Sequence, residues 1–471
     1  MKDTLNTASI DNYMYPSRYN DDREMTRYFT FMFIDGAEVT DDTDWDIKSE
    51  TVGGDGVIYG IIPDSGDSIK KLRRKVAATS RGKERCIFVI PNKYTEIEDV
   101  VLKFNAVTTL RDAAEGNELL FDEYEVIYED LRDVIAGFIG QYTHPENFQA
   151  VYIHDGKEKD ITRKAGLTGL MSDICEKVYA KTPVINNEAV NKSELTGVAI
   201  NSRSKIITGL LRNVLEPGLG LTGTGQEVSI MRSTLIRKKV ILEDNGVTKV
   251  NLNTGDENMD YMLSEIVAFI QGARKKGEYG FDELYHTLTS PEKGIGLRKA
   301  LIPIYLAAVL HEYRQEAVIV SDLGEMPINV DTLLQIEADP AMFRIKYLDW
   351  DPEKEKFVNR LEEVFAEYIN DTERATNSYD YIVSAMRRWY MALPKYSKER
   401  NPQNDERKYR ALTKLLKQNN GGYELLFVRL PKEFGAEGNY SLVAEEVAGA
   451  KGYYDKAIKL LIDGLAEYIR S

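Results

Sequence analysis

The chain has 471 residues with a net charge of −15 and a pI near 5.1, which excludes an overall electrostatic attraction to DNA or to anionic membranes. Its composition, 43% hydrophobic and 29% charged, is typical of soluble globular proteins, and its length predicts two to four domains. Two cysteines, Cys86 and Cys175, imply no disulfide framework. Since no apolar run is long enough to cross a bilayer, we expect a cytoplasmic protein with no membrane partner.

The first third of the chain predicts an α/β domain. Residues 1–24 are polar and rich in Asn and Asp, which indicates an arm that is either poorly ordered or wrapped around its neighbour. Strand-like and helix-like runs then alternate over residues 25–155, and this order predicts a mixed sheet covered by helices. The predicted strands are 28–34, 57–62, 86–90 and 149–153, and the predicted helices are 65–78, 97–114 and 119–142.

The helix predicted at 65–78 is strongly basic. Its candidate phosphate-binding residues are Lys70, Lys71, Arg73 and Arg74. Such a run can bind the phosphates of a nucleic acid, although it more often forms a solvated helix face. Both interpretations remain open on the sequence alone.

The stretch 182–213 combines a helix-breaking start, a polar cluster and an apolar helix. Pro183 interrupts the preceding helix, and Ser193 or Thr196 can cap the next one. The cluster after Pro183 consists of Asn186, Asn187, Glu188 and Asn191. One interpretation is a polar turn that caps helices. The other is a junction that fixes domain geometry or contacts a neighbour that carries a nucleotide.

This stretch resembles a segment of the large ATPases of BREX phage-defence systems and their PglY (phage growth limitation) relatives. The family pattern runs Tyr, Ser/Thr-Pro, Asn-Glu, Asn-Arg, Leu, then Arg and Leu in the following helix. The matching positions are Tyr179, Thr182, Pro183, Asn187, Glu188, Asn191, Leu195, Arg203 and Leu210. Lys192 stands where the family usually has arginine, which argues against an arginine finger because lysine lacks the planar fork of guanidinium. The resemblance implies a structural junction made of Asn186, Asn187, Glu188, Asn191, Lys192 and Arg203.

The sequence contains no phosphate-binding loop of the Walker A type. A Walker A loop requires GxxxxGK[ST], because its lysine reaches the phosphates and its hydroxyl holds magnesium, and the sequence contains no such run. The glycine-rich stretch 218–225 is better interpreted as a turn before a helix near 227–236. We therefore expect no cofactor in this chain, and ATP with magnesium only through a partner or a further domain.

The middle of the chain predicts a helical domain, 156–275, followed by a winged-helix-like unit, 276–350. In the second of these, helices near 281–288 and 297–313 precede strands at 317–321 and 342–347, and the turn 288–299 resembles one in the BREX family. Winged helices can place their second helix in the DNA major groove. The candidate phosphate contacts here are Lys293, Arg298 and Lys299, but the apolar second helix equally fits protein packing.

Residues 351–471 predict a helical C-terminal domain, with helices near 353–369, 378–393, 408–417 and 453–470. Leu393-Pro394 and the run from Leu425 to Pro431 resemble Leu-Pro patterns of the same family. The whole chain is thus predicted to be α+β and mainly helical: an N-terminal α/β domain, a helical middle, a winged-helix-like unit and a helical C-terminal region.

Three functional hypotheses follow. The first is a non-catalytic interaction or scaffold component, or an ATPase-derived fragment, of a BREX/PglY-like anti-phage system, whose partners would be an ATPase and a methyltransferase. The second is a winged-helix module that binds double-stranded DNA. The third is a metal-dependent nuclease with scattered carboxylates, although His144, His154, His286 and His311 have no metal-ligand spacing. An oligomer is compatible with all three.

Overall fold

The computed structural model describes residues 2–8, 13–50, 52–114, 116–192, 194–376, 379–418 and 421–470. The chain forms two units, Met1–Ala180 and Lys181–Ser471. The predicted class, α+β and mainly helical with a mixed sheet, is confirmed. The first unit continues past residue 155, where the sequence analysis ends its α/β domain. Ser193 and residue 378, a predicted cap and a predicted helix start, lie outside the described residues.

The first unit is built on a sheet in which the strand order follows the chain order, β1 to β6. The described strands are β1 (Tyr13–Met14), β2 (Phe29–Asp35), β3 (Gly56–Ile62), β4 (Cys86–Pro91), β5 (Ala150–His154) and β6 (Lys157–Lys159). The central strands β2, β3 and β4 run parallel, and β1, β5 and β6 join them antiparallel. Every residue of β3 and β4 is buried, as expected for parallel strands covered on both faces.

Helices cover both faces of this sheet. The described helices of the first unit are α1 (Lys2–Ala8), α2 (Ser17–Arg23), α3 (Trp45–Glu50), α4 (Ser68–Thr79), α5 (Glu98–Ala113), α6 (Glu118–Thr143) and α7 (Lys164–Val178). One core joins α3 and α4 to the sheet around Trp45 and Phe88, and the other joins the remaining helices around Phe33 and Phe138. Leu5 and Tyr19, from the segment interpreted as an arm, are buried in that second core.

The second unit is mainly helical. Its described strands are β7 (Ile241–Asp244), β8 (Val247–Val250), β9 (Tyr279–Gly280), β10 (Ala317–Ser321), β11 (Gly324–Met326) and β12 (Phe343–Tyr347). Its described helices are α8 (Gly197–Leu210), α9 (Gln226–Met231), α10 (Glu257–Lys276), α11 (Phe281–Thr289), α12 (Ile302–Glu312), α13 (Val330–Ala338), α14 (Pro352–Val364), α15 (Asp371–Thr376), α16 (Asp380–Ala392), α17 (Lys395–Glu399), α18 (Tyr409–Leu416), α19 (Leu430–Glu433), α20 (Tyr440–Asp455) and α21 (Ala457–Arg470).

Helices α10, α11 and α12 with strands β9, β10 and β12 follow the order of a winged helix. The sheet order is β11-β10-β12-β9, so the short strand between the first two helices joins the edge of the later hairpin. Helix α13 is inserted between β11 and β12 and packs against α12. This helical layer covers one face of the sheet, and a different set of elements covers the other face.

The C-terminal helices cover that other face. Along β10, Ala317 and Ile319 join the core of α8 to α13, whereas Val318 and Val320 join the core of the C-terminal helices. This alternation follows from the two-residue period of a strand. Helix α20 supplies five buried residues to that core but was not predicted, because its run of Ala and Gly gives a weak apolar pattern. The helix predicted at 353–369 ends earlier, at Val364.

Candidate functional site

The Asn-Glu segment, residues 182–203, is the part of the chain with the strongest sequence motif. Its two ends lie close to the turn that precedes α12. Thr182 donates a 2.5 Å hydrogen bond from its hydroxyl to the Ile295 carbonyl, and the Lys181 amide donates to the Gly294 carbonyl. The segment therefore enters the second unit attached to the winged-helix-like elements.

Two of its asparagines bond within the second unit. Asn191 is buried and donates to the Ile185 carbonyl at 2.6 Å, which closes a loop around the segment. Asn187 donates to the Ser233 hydroxyl at 3.0 Å and accepts from the Ala189 amide at 3.2 Å. Such side-chain bonds to backbone fix a turn that has no regular secondary structure.

The other polar side chains of the cluster face solvent. Asn186 and Glu188 are exposed, and Glu188 pairs with Lys192 at 2.7 Å. An exposed pair of this kind contributes little stability, typically below about 1 kcal/mol. Thr196 caps α8 by accepting from the Ala199 amide. The predicted cluster is thus divided between an inward pair, Asn187 and Asn191, and an outward pair.

Arg203 lies about two turns into α8 and has none of the partners of Asn187 and Asn191 named above. Its guanidinium donates to both carboxylate oxygens of Glu337 on α13, at 2.7 and 2.6 Å, and to the Ala300 carbonyl at 2.9 Å. The side chain is buried. Guanidinium and carboxylate match as two parallel bonds, so this contact fixes both distance and orientation. The arginine that resembles a family motif residue therefore joins α8, α13 and the start of α12.

Helix α12, for which the sequence left DNA reading and protein packing open, is covered. Every residue from Ile302 to His311 is buried, and α8, α10 and α13 pack against it. A helix can read base edges only if it can enter the major groove, about 12 Å wide, with its side chains exposed. The covered α12 cannot do this in the described arrangement. Lys293 and Lys299 are exposed beside it, and Arg298 is half-buried.

The predicted basic run lies on α4 of the first unit. Lys70, Lys71 and Arg74 are exposed, whereas Arg73 donates to the Asn92 side chain at 2.6 Å. Residues 67–85 contain eight basic and two acidic side chains, so this stretch has a net charge of +6 in a chain of −15. The exposed basic side chains of α4 form a local basic surface, whereas Lys83 in the loop after it pairs with Asp44 and Asp46.

Sequence reasoning missed a pair of carboxylates, Glu325 and Asp380, in the second unit. Glu325 accepts hydrogen bonds from the Tyr423 and Glu424 amides, at 2.9 and 3.0 Å, and Asp380 accepts from the Gly422 amide. Burial raises the pKa of Glu325, and burial together with the charge of Glu325 raises the pKa of Asp380 to about 7. These residues are far apart in sequence, so no spacing pattern signals their meeting.

The chemistry available at this pair is limited. The charge of Arg387 offsets part of the rise in the pKa of Asp380. The two carboxylates cap the π-helical turn Glu424–Arg429. In the described part of the chain, no group of three or more His, Cys, Asp and Glu side chains is arranged to hold a metal ion. A buried cap of backbone amides fits this geometry better than a reaction centre does.

Neither the buried histidines nor the surface groove between α14 and α20 forms a reaction centre in the described part of the chain. His311 and His154 bond through Nδ1 to the carbonyls of Leu210 and Cys86, and burial lowers the pKa of each imidazole. A groove of about 740 Å³ between α14 and α20 is lined by exposed charges of both signs, among them Glu353, Lys356 and Arg360. Charges open to water bind ligands weakly and without a fixed geometry.

Comparison of the chain with protein-family models, with curated proteins and with solved structures gives no match. Among the residues described, no helix has both the length and the apolar character needed to cross a membrane.

Proposed function

We propose that this protein is a non-catalytic interaction or scaffold component, or an ATPase-derived fragment, of a BREX/PglY-like anti-phage defence system. The support for the system is the resemblance of residues 179–211, together with the turn 288–299 and the Leu-Pro patterns near 393 and 430. Its partners are the ATPase and the methyltransferase of such a system, and it acts in the cytoplasm. ATP and magnesium enter through a partner or a further domain.

One observation carries the non-catalytic part of the proposal. The inward side chains of the Asn-Glu segment, Asn187, Asn191 and Arg203, are engaged with the chain itself. A catalytic group has to reach a reacting atom at hydrogen-bond distance. Side chains whose donors already bond to Ser233, Ile185 and Glu337 serve to shape the second unit. The motif then marks a shared architecture for presenting surfaces to partners.

Co-purification tests this function. The tagged chain is expressed with the reading frames beside its gene and isolated at 150 mM salt and at 500 mM salt. We expect an ATPase and a methyltransferase to elute with it, and ATP turnover to require the ATPase. Glu188→Ala removes an outward side chain and should leave the complex intact if the segment is structural. Elution of the chain alone, with every candidate subunit present in the lysate, would refute the proposal.

A second candidate function, contact with double-stranded DNA, is favoured by the exposed basic residues of α4, which belong to a stretch, residues 67–85, with a net charge of +6. Phosphate contacts made by Lys and Arg release counterions, so binding of this kind weakens steeply with salt. We place the contact on α4, because Lys70, Lys71 and Arg74 are exposed there whereas α12 is covered. The nuclease hypothesis has no supporting observation among the described residues.

A further inference from the structure

Helix α6 carries an apolar stripe that faces solvent. Leu119, Val126, Ile127 and Val134 are 75%, 62%, 46% and 52% exposed. Their spacing of 7, 8 and 15 residues from the first brings them onto one face of the helix. Single exposed apolar residues are ordinary on protein surfaces, but an aligned set on one helix marks a contact surface. We call this set, with Leu120, the α6 stripe.

The hairpin of α5 and α6 does not need this stripe for its own packing. Phe104 of α5 stacks on Tyr128 of α6 with ring centroids 5.0 Å apart, and Arg111 lies 4.0 Å from the same ring. Arg111 also pairs with Glu125 at 3.2 Å. Tyr128 lies on the side of α6 opposite Val126 and Leu119, about half a helical turn from each, and Glu125 lies about a third of a turn from both. The stripe therefore faces outward, and α5 packs against α6 without it.

Negative charge surrounds the stripe. Helix α6 has seven acidic residues and one basic residue, so it has a net charge of −6. Glu123 and Asp130 are exposed and lie seven residues apart within the stripe itself. A second copy of α6 would bring −6 against −6, and DNA or an anionic bilayer would be repelled as well. Acidic side chains placed among the apolar residues of the stripe select an amphipathic helix that puts basic side chains opposite them, as charges next to the seam select partners in coiled coils.

We propose that the α6 stripe is a docking surface for an amphipathic helix of a partner protein, with an apolar seam and Lys or Arg at seven-residue spacing opposite Glu123 and Asp130. The partner helix would lie along α6, on the side away from α5. This inference rests on the proposed scaffold function and names the chemistry of one partner contact. The acidic residues of α6 then serve recognition, and the nuclease hypothesis is not needed to explain them.

The experiment uses the full chain and two synthetic 21-residue helical peptides. Both peptides have leucine at the two seam positions of each heptad, and one has lysine while the other has glutamate at the flanking positions. Fluorescence anisotropy at 150 mM salt measures the affinity of each. We expect the lysine peptide to bind at least tenfold more tightly than the glutamate peptide.

Two variants separate the apolar seam from the charge. Val126→Ser with Ile127→Ser shortens the seam and should weaken the lysine peptide at least tenfold, and Glu123→Lys with Asp130→Lys should reverse the preference between the peptides. The matched control is Glu433→Lys with Glu437→Lys, the same charge change on two exposed residues of the second unit, which should leave both affinities unchanged. Far-ultraviolet circular dichroism verifies that every variant is folded.

Three outcomes overturn the proposal: neither peptide binds, the serine variant binds the lysine peptide as tightly as the natural chain, or the control reversal has the same effect as the α6 reversal. The last two would mean that a general attraction to an acidic chain explains the binding. Because the assay contains no defence protein, its failure leaves the co-purification result standing. Conversely, peptide binding without co-purification would refute the proposed system while supporting the surface.

Discussion

Arg203 and Glu337 form a two-bond ion pair that joins α8 to α13, with nitrogen–oxygen distances of 2.7 and 2.6 Å. Their side chains are only 5% and 19% exposed. The same guanidinium also holds the Ala300 carbonyl next to the start of α12. Arg203 thus has partners different from those of Asn187 and Asn191, and it connects two of the elements that pack against α12 to the start of that helix.

Replacing Arg203 with methionine should destabilise the second unit by about 3–5 kcal/mol, because it leaves the Glu337 carboxylate without its partner. Urea unfolding followed by tryptophan fluorescence measures this in a Trp45→Phe background, in which the remaining tryptophans, Trp350 and Trp389, both belong to the second unit.

Arg360→Met is the control for that change. Arg360 and Glu363 form an exposed pair at 2.7 Å, so the cost should stay below about 1 kcal/mol. The double variant Arg203→Met with Glu337→Met should recover part of the lost stability, since no charge is then left buried. Equal effects of Arg203→Met and Arg360→Met would contradict the role assigned to Arg203.

The stability of the second unit should fall as pH rises from about 4 to about 7. The pKa of Asp380 is raised from its ordinary 3.8 to about 7 in the folded chain, so folding takes up a proton in this interval. A carboxyl that is more basic when folded stabilises the fold at low pH, and this stabilisation is lost as the group ionises. Burial raises the pKa of Glu325 in the same direction.

Asp380→Asn tests this titration. We expect the free energy of unfolding of the natural chain, relative to the variant, to decrease by about 1–3 kcal/mol between pH 4.5 and pH 7.5, since one pKa unit corresponds to about 1.4 kcal/mol. Asp463→Asn, at an exposed position on α21, should follow the natural chain at every pH. An Asp380→Asn curve parallel to that of the natural chain would show that the buried carboxyl does not titrate.

Gly209 in α8 should tolerate no side chain. A Cβ there would lie 2.7 Å from the Leu219 Cβ and 2.8 Å from the Leu219 carbonyl oxygen, and Leu219 is held in a left-handed conformation with φ of 55°. Overpacking of this kind costs about 1–3 kcal/mol, so Gly209→Ala should lower the unfolding midpoint. Gly452→Ala in α20 has open space around the new Cβ and should raise stability by about 0.5–1 kcal/mol. Stabilisation by both changes would be inconsistent with the close contact.

Charge reversal should locate any DNA contact. We expect Lys70→Glu with Lys71→Glu and Arg74→Glu to weaken binding to a 30-base-pair duplex at least tenfold, and binding to weaken further as salt rises. Reversal of Arg298 and Lys299 tests the winged-helix-like unit and should remove more affinity than reversal of the acidic helix α14. Lys395→Glu with Lys432→Glu is a control on two exposed lysines of the second unit. Binding that resists 500 mM salt would contradict both candidate surfaces.

The purified chain should not hydrolyse ATP by itself. The sequence has no GxxxxGK[ST] run, and without its lysine and hydroxyl no group of that kind positions the phosphates and magnesium. Phosphate release across the gel-filtration peak provides the measurement. Turnover that follows the protein peak and survives a further purification step would refute this prediction.

Local patterns sufficed for much of the fold. The buried runs at 57–62 and 86–90 predict β3 and β4, because only β-favouring apolar residues fill a strand covered on both faces. The apolar stripe of α10 and the cap residue Thr196 also follow from spacing and residue type. Helices without such a pattern were not predicted. Helix α20 is rich in Ala and Gly, and α1 and α2 lie in a polar stretch whose composition indicates an arm.

The sequence by itself determined the mainly helical α+β class, the missing phosphate loop and the motif at 182–203, because propensity, periodicity and fixed spacing act over short stretches of chain. Only the tertiary structure decided what the motif residue Arg203 contacts, since it meets Glu337 across 134 positions. It likewise decided that the charge of Glu325 acts on Asp380, 55 positions further along the chain. It also decided that α12 is covered and the α6 stripe is not. Burial depends on which elements pack together, and apolar residues on a helix do not specify whether their partner belongs to the same chain or to another.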